Sequence, residues 1–300
     1  YPENGMGEKG IVSLAQLAMD EAKRSGGGYV ACSPDQTKSP SGQVIIVGDI
    51  RDAIERDELV LHYQPKVSMT DGRVIGAEAL ARWDHPSEVL IYPDNFAPLV
   101  ERTGLINNLT LTVLDAALTQ ARIWREAGKP ISVAVNLSPC SMHDSRLPVR
   151  ISERLRHHNL SADSLVLEIT ETEIMIDAHK AMEVVTSLTE LGVGIAIDDF
   201  GTGNSSLAYL RRLPASEFKI DRSFVLNMHK YEDDKSIVRS VIDLANNMGM
   251  KVVAEGVECE EIYGLLRGMN CYCAQGYYIS RTIQSEKFQS WLDDPSWGDD

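Results

Sequence analysis

From about residue 46 onward, short apolar runs give way in regular alternation to longer stretches with helical spacing. The apolar runs predict strands at 58–66, 73–83, 131–136, 164–169, 193–198, 216–220, 250–255 and 270–275. The intervening stretches predict helices, among them 108–127, 146–158, 176–191, 233–248 and 258–268. Runs such as Ile131-Ser-Val-Ala-Val135 and Gly194-Ile-Ala-Ile197 suit strands covered on both faces. Eight strands in about 250 residues, most followed by a helix, predict an α/β fold of the TIM (β/α)8 barrel type. Met69-Thr-Asp-Gly72 joins the first two strands through an Asp-Gly hairpin signal, so the first strand is expected to run antiparallel and the barrel to be a modified one. An open doubly wound sheet would want a Gly-rich phosphate turn early in the chain, and none is visible.

The segment before residue 46 follows a different pattern. Leu14, Leu17, Ala18 and Ala22 recur at helical spacing within 11–25, and Gly26-Gly27-Gly28 stops that helix. Ser33 to Gly42 is rich in Ser, Pro and Lys and has the character of a linker. A lone helix cannot bury its own stripe, so this piece is expected to belong to another domain or to pack on the barrel.

The apolar share of 43% can fill a large core, and the net charge of −15 disfavours a nucleic-acid polymer or an anionic membrane as partner. A phosphate-ester substrate would then need cations concentrated at its site. The five cysteines are odd in number and lack Cys-x-x-Cys spacing, which suits a reduced, cytoplasmic setting for this part of a parent protein that could itself be membrane-anchored. No apolar run approaches the ~18–20 residues that span a bilayer.

Candidate chemistry lies where polar residues meet the strands. Glu78, Asn136, Glu168, Asp198-Asp199, Lys219 with Asp221, Glu255 and Gln275 are expected at strand ends, which in a TIM barrel converge on the catalytic rim. Asp or Asn at such a junction also serves as a helix N-cap, and that reading stands for any one of them taken alone. Gathered carboxylates repel unless a cation intervenes. Glu78, Leu80 and Arg82 alternate on one strand face and can offer a metal carboxylate, an apolar platform and a guanidinium; a buried Glu–Arg pair is the alternative. Asp198-Asp199, followed by Gly201 and Gly203, could bridge two cations, or be an acidic turn. Lys219 and Asp221 could sit beside an attacking water, or form an internal salt bridge. Oxygen-rich donors without a histidine chelate favour Mg²⁺ or Mn²⁺ over zinc.

These residues fall into eight ordered strings. They are Tyr-Gln-Pro (63–65), Gly-Ala-Glu-Ala-Leu-Ala-Arg-Trp (76–83), Asn-Leu-Ser (136–138), Glu-Ile-Thr-Glu (168–171), Asp-Asp-Phe-Gly-Thr-Gly (198–203), Lys-Ile-Asp (219–221), Ala-Glu-Gly-Val-Glu (254–258) and Gln-Gly-Tyr (275–277). On them, residues 48–282 resemble an EAL-domain cyclic di-GMP phosphodiesterase, with the barrel expected over 47–295. The resemblance implies one Mg²⁺ or Mn²⁺ held by Glu78, Asn136, Glu168 and Asp198, and a second held by Asp198, Asp199 and Glu255. It implies that Lys219 and Asp199 orient and activate the attacking water, and that Glu171 anchors the loop after Asp199. Gln64, Leu80, Arg82, Asp221, Glu258 and Gln275 would contact or support the substrate. The implied reaction opens cyclic di-GMP to linear 5′-pGpG, in a homodimer. Residues 1–33 resemble the end of a GGDEF domain, through Tyr-Pro-Glu-Asn-Gly (1–5) and 17–26, with 34–46 as linker and further sensory domains upstream in the parent chain. Asn204 replaces an aromatic residue, and Thr282 a proline, of the family pattern; neither position is a ligand. Two other readings compete: a non-catalytic cyclic di-GMP receptor, and a scaffold whose acidic rim only caps helices. Receptor-type members usually lack several of the metal carboxylates, and this chain lacks none.

Overall fold

The apolar runs fold as strands of a single sheet. The structure, a computed structural model, describes residues 51–293 apart from 57, 87–89, 172–173, 175–176 and 201–211. The expectations for the helix at 11–25, for the segments 1–33 and 34–46, and for Asn204 fall outside the described residues.

The strands are β1 (Leu59–Ser68), β2 (Val74–Trp83), β3 (Ser132–Asn136), β4 (Leu165–Thr170), β5 (Gly194–Phe200), β6 (Glu217–Ile220), β7 (Lys251–Ala254), β8 (Cys273–Ala274) and β9 (Ile283–Gln284). Strands β2 to β8 pair in chain order and run parallel. β1 pairs with β8 antiparallel and also with β2, which closes the barrel. β9 adds to β1, with His62 opposite Gln284. The expected hairpin is present: the Ser68 N–H donates to the Arg73 carbonyl at 2.9 Å, and Gly72 takes φ 71°, a conformation glycine adopts without a Cβ clash.

The helices are α1 (Pro93–Thr103), α2 (Ile106–Glu126), α3 (Pro139–Met142), α4 (Leu147–His157), α5 (Ala178–Glu190), α6 (Arg222–Val225), α7 (Glu232–Asn247), α8 (Glu260–Gly268) and α9 (Ser285–Asp293). The five helices predicted from periodicity correspond to α2, α4, α5, α7 and α8. The pattern does not predict α1, α3, α6 and α9. Two of these start on a proline in the first turn and α6 starts on an Asp cap, signals of a helix start rather than of a long apolar stripe. No helix among the described residues is long and apolar enough to cross a membrane.

Two compact units make up the described chain. One, Leu61–Ala81 with the residues from Thr110 onward, carries the barrel. Alternation along its strands sorts side chains between two apolar sets. Val133, Val135, Leu165, Leu167, Ile195 and Ile197 join the large core with helix residues such as Leu118, Val185 and Ile242. Ala134, Val166 and Ala196, one position out of step, form a separate small cluster. Two residues further along the same strands stand Asn136, Glu168 and Asp198, so each strand carries its polar residue on the row of that small cluster. Tyr63, Trp124 and Phe288 seal the wall by α9, with ring centroids 4.9 to 5.7 Å apart. The other unit, the residues up to Val60 with Arg82–Leu109, has its own aromatic centre. There the Trp83 ring meets His85 at 4.8 Å and Phe96 at 6.2 Å, and its indole N–H donates to Glu58 at 3.1 Å.

Candidate active site

Lys219 is the centre of the site. It stands on β6, a four-residue strand that is otherwise apolar beyond Glu217, and its side chain is 1% exposed. Its ammonium lies 2.6 Å from Glu168 Oε2, 2.7 Å from Glu255 Oε1, 2.9 Å from Asp198 Oδ2 and 3.7 Å from Glu78 Oε2. Four carboxylates from four different strands or strand ends therefore share one cation. A buried ammonium is tolerated only when so paired, and the acids outweigh its burial and hold its pKa well above the ordinary lysine value.

A second lysine supports the cluster. Lys66 of β1 donates to Glu168 Oε1 at 2.5 Å, and the Glu168 side chain is fully buried. Burial alone would push the Glu168 carboxyl up, but Lys219 and Lys66 together hold it at about 2. Glu255 meets no second lysine among the described residues. Its burial, aided by Asp198 and Glu78 against Lys219, pushes its pKa up to about 8. Burial, with the Glu168 charge beside it, likewise raises Glu78.

An amide network fixes Glu78. Asn136 Nδ2 donates to its Oε1 at 2.8 Å and Gln275 Nε2 to its Oε2 at 2.6 Å, while Gln275 also reaches Gln64 Oε1 at 3.0 Å. The buried Gln275 Oε1 has no hydrogen-bond partner among the described residues. Behind it, the backbone of Gly276 passes so close to Val257 that a Cβ at this position would lie 2.2 Å from the Val257 carbonyl oxygen. Glu78 is not at a strand end, as the sequence pattern suggests. It sits in the middle of β2, which runs on to Trp83.

Asp198 and Asp199 owe their placement to a break in β5. The β5–β6 register shifts between Ile197 and Phe200, and Asp199 takes φ 54°, a left-handed conformation that costs a residue other than glycine about 1 kcal/mol or more. The Asp199 N–H donates back to Asp198 Oδ1 at 2.9 Å. Regular alternation would send the two carboxylates to opposite faces, and the bulge relaxes that requirement. Burial, with Asp198 and Asp221 adding to it, raises the pKa of the half-buried Asp199.

The remaining predicted residues fall at several places. Leu80 and the exposed Glu258 line the same cleft of about 240 Å³ as Gln64, Glu78, Asn136 and Lys219. Asp221 caps α6, its Oδ1 accepting from the Ser223 N–H at 3.0 Å and from the Ser223 hydroxyl. Glu171 is buried just past β4, and the loop it was expected to anchor, 201–211, is outside the described residues. Arg82 belongs to the other unit, where its guanidinium lies 4.7 Å from the centre of the Tyr92 ring. Lys66 escapes the sequence reading. Its signal is a lysine two residues after Gln64 on an apolar strand, where side chains at i and i+2 share a face.

The donors at this cleft are carboxylate and amide oxygens. Among the described residues no ready-made cluster of three His, Cys, Asp or Glu metal donors is formed, and the Lys219 ammonium takes the middle of the acids instead.

The EAL domain family model matches residues 47–282. The chain belongs to the EAL domain family. Of the relatives of this EAL chain, the bifunctional diguanylate cyclase/cyclic di-GMP phosphodiesterase MucR of Pseudomonas aeruginosa is 41% identical over 289 residues, 96% of this chain and 42% of MucR. The cyclic di-GMP phosphodiesterase NbdA of the same organism is 36% identical over 301 residues, 97% of this chain and 38% of NbdA. The chain thus spans less than half of either relative's length. A solved structure of the PaMucR phosphodiesterase in complex with c-di-GMP superposes with a TM-score of 0.78 at 44% identity, covering 81% of this chain and 99% of that one. The EAL barrel with a reversed first strand expected from the sequence is the fold observed.

Proposed function

We propose that this EAL domain hydrolyses cyclic di-GMP to linear 5′-pGpG. The observation that carries the reading is the rim cluster in which Glu78, Glu168, Asp198 and Glu255 meet around Lys219, beside a cleft open to a ligand. Support comes from the relatives, two of which are named for cyclic di-GMP hydrolysis and one of which was solved with c-di-GMP.

The all-oxygen donors and the unpartnered Gln275 Oε1 fit hard divalent cations, Mg²⁺ or Mn²⁺. Glu78, Asn136, Glu168 and Asp198 would hold one, and Asp198, Asp199 and Glu255 a second. When bound, such cations supply Lewis acidity toward the phosphoryl group and the attacking water. The chain's own side chains do the rest. Lys219 orients the water and offsets the negative charge that develops on it. Asp199 accepts the water proton. The new bond joins the water oxygen to phosphorus, the P–O3′ bond breaks, and the proton passes to the departing O3′. Gln64, Leu80, Arg82, Asp221, Glu258 and Gln275 are assigned to binding and supporting the dinucleotide, and Glu171 to anchoring the loop after Asp199. The strings at 1–5 and 17–26 support reading 1–33 as the end of a GGDEF domain, with 34–46 as linker and the barrel over 47–295. Pairing of two barrels into a homodimer is part of the same proposal, and sedimentation of the chain tests it.

Incubation with cyclic di-GMP and Mg²⁺ or Mn²⁺, followed by chromatography, is expected to yield pGpG, and chelator or Asp198→Ala to stop it. Cyclic di-GMP that is bound but recovered intact in the presence of either metal would overturn the reading in favour of a receptor.

A further inference from the structure

The two oxygens of Glu168 are held by different ammonium groups. Lys219 takes Oε2 at 2.6 Å and Lys66 takes Oε1 at 2.5 Å. The two lysines are not equivalent. Lys219 lines the cleft and is shared among four acids, whereas the salt bridge of Lys66 among the described residues is to Glu168 alone. Lys66 is 5% exposed and does not line the cleft; Lys219 does, and Glu168 lies buried between the two ammonium groups. It comes from the reversed strand β1, which inserts it beside Glu168 from across the sheet order.

We infer that Lys66 is a positioning residue: it holds Glu168 Oε1 away from the cleft, so that the carboxylate presents one oxygen to a bound cation. Its charge also makes cation binding weaker than the bare acids would. A carboxylate with both oxygens free can swing between two ways of gripping an ion, and the fixed geometry that an in-line displacement needs is lost. Removing a buried ammonium beside the acids also removes repulsion toward an incoming divalent ion and leaves Glu168 Oε1 short of a partner. Both changes favour the ion over the empty site. Lys66 therefore trades cation affinity for geometry, the reverse of a neutral hydrogen-bond partner, whose loss weakens binding. The turnover part of this inference rests on the phosphodiesterase reading; the cation-binding part does not.

The test compares the full chain with Lys66→Met, Lys66→Gln and Lys66→Arg by Mn²⁺ titration followed by electron paramagnetic resonance, and by steady-state pGpG formation. Lys66→Met is expected to bind Mn²⁺ roughly tenfold more tightly while kcat falls roughly 10–100-fold, with KM for cyclic di-GMP within about twofold of wild type. Lys66→Gln can still donate to Oε1 without a charge, so it is expected to share the tighter binding and to keep more of kcat. It also stands in if the methionine variant fails to fold. Lys66→Arg, which keeps both charge and donor, is expected to restore both quantities toward wild type. Mn²⁺ binding in the Met and Gln variants that equals or falls below wild type would overturn the inference, as would an unchanged kcat in Lys66→Met. Absence of turnover in the wild-type chain would instead sink the phosphodiesterase reading, and the Mn²⁺ comparison would still decide the role of Lys66.

Discussion

Glu168 and Glu255 touch the same ammonium at nearly the same distance, 2.6 and 2.7 Å, yet their acidities diverge in opposite directions. Burial raises both. Glu168 is brought down to about 2 because Lys219 and Lys66 together overcome that burial, while Glu255 rises to about 8 with only Lys219 against the charges of Asp198 and Glu78. One lysine more or less thus divides the rim into a half whose negative charge is already matched and a half where further positive charge would be stabilised. Distance to a shared partner does not set a group's state; the full set of charges facing it does.

The largest test removes what the two halves share. Lys219→Met leaves buried acids without their common cation and is expected to cost about 3–5 kcal/mol in urea denaturation, along with pGpG formation. A loss under about 1 kcal/mol would mean that the cluster is screened like surface charge. The second test uses pH. Glu255, with its raised value, contributes stability in full below the ordinary glutamate range and loses it as pH rises through about 8; Glu168 contributes at neutral pH and loses its share only as pH falls toward about 2. In chelator, thermal melting from about pH 5 to 9 is therefore expected to decline, and Glu255→Gln to flatten that decline. A melting temperature that climbs across the same window would contradict the division. Next in size, Gly276→Ala forces a Cβ against the Val257 backbone, which must shift at a cost of about 1–3 kcal/mol. The displaced Gln275 should loosen Glu78, read as lost turnover beyond the lost stability. Smallest is Asp221→Ala, which removes the α6 cap and should cost about 1 kcal/mol in a denaturation curve.

Much of this was readable in the chain. β-branched runs such as Ile131–Val135 placed the strands, helical spacing placed α2, α4, α5, α7 and α8, and the polar residue ending most runs pointed to the rim. What escaped did so for physical reasons. Glu78 is grouped with the strand-end residues by its polar character, although the predicted strand 73–83 already centres on it, and β2 continues for five residues beyond it. The turn at Asp198-Asp199 depends on a register shift that periodicity does not encode. Lys66 escapes because a lone lysine on a strand reads as a solvent-facing position, whereas the reversed strand β1 closes the barrel between β8 and β2 and brings the ammonium to Glu168. Asp221 has sequence credentials for both a cap and a pocket; its hydrogen bonds to Ser223 show the cap, and the pocket role belongs to the proposal.

That reversal of β1 also separates two ends of the molecule. The turn linking it to β2, with Thr70 and Asp71 exposed at its tip, precedes β2 and so lies at the end of the barrel away from the acids. A fluorophore, an affinity handle or a short inserted peptide attached there would report on the domain without approaching its chemistry.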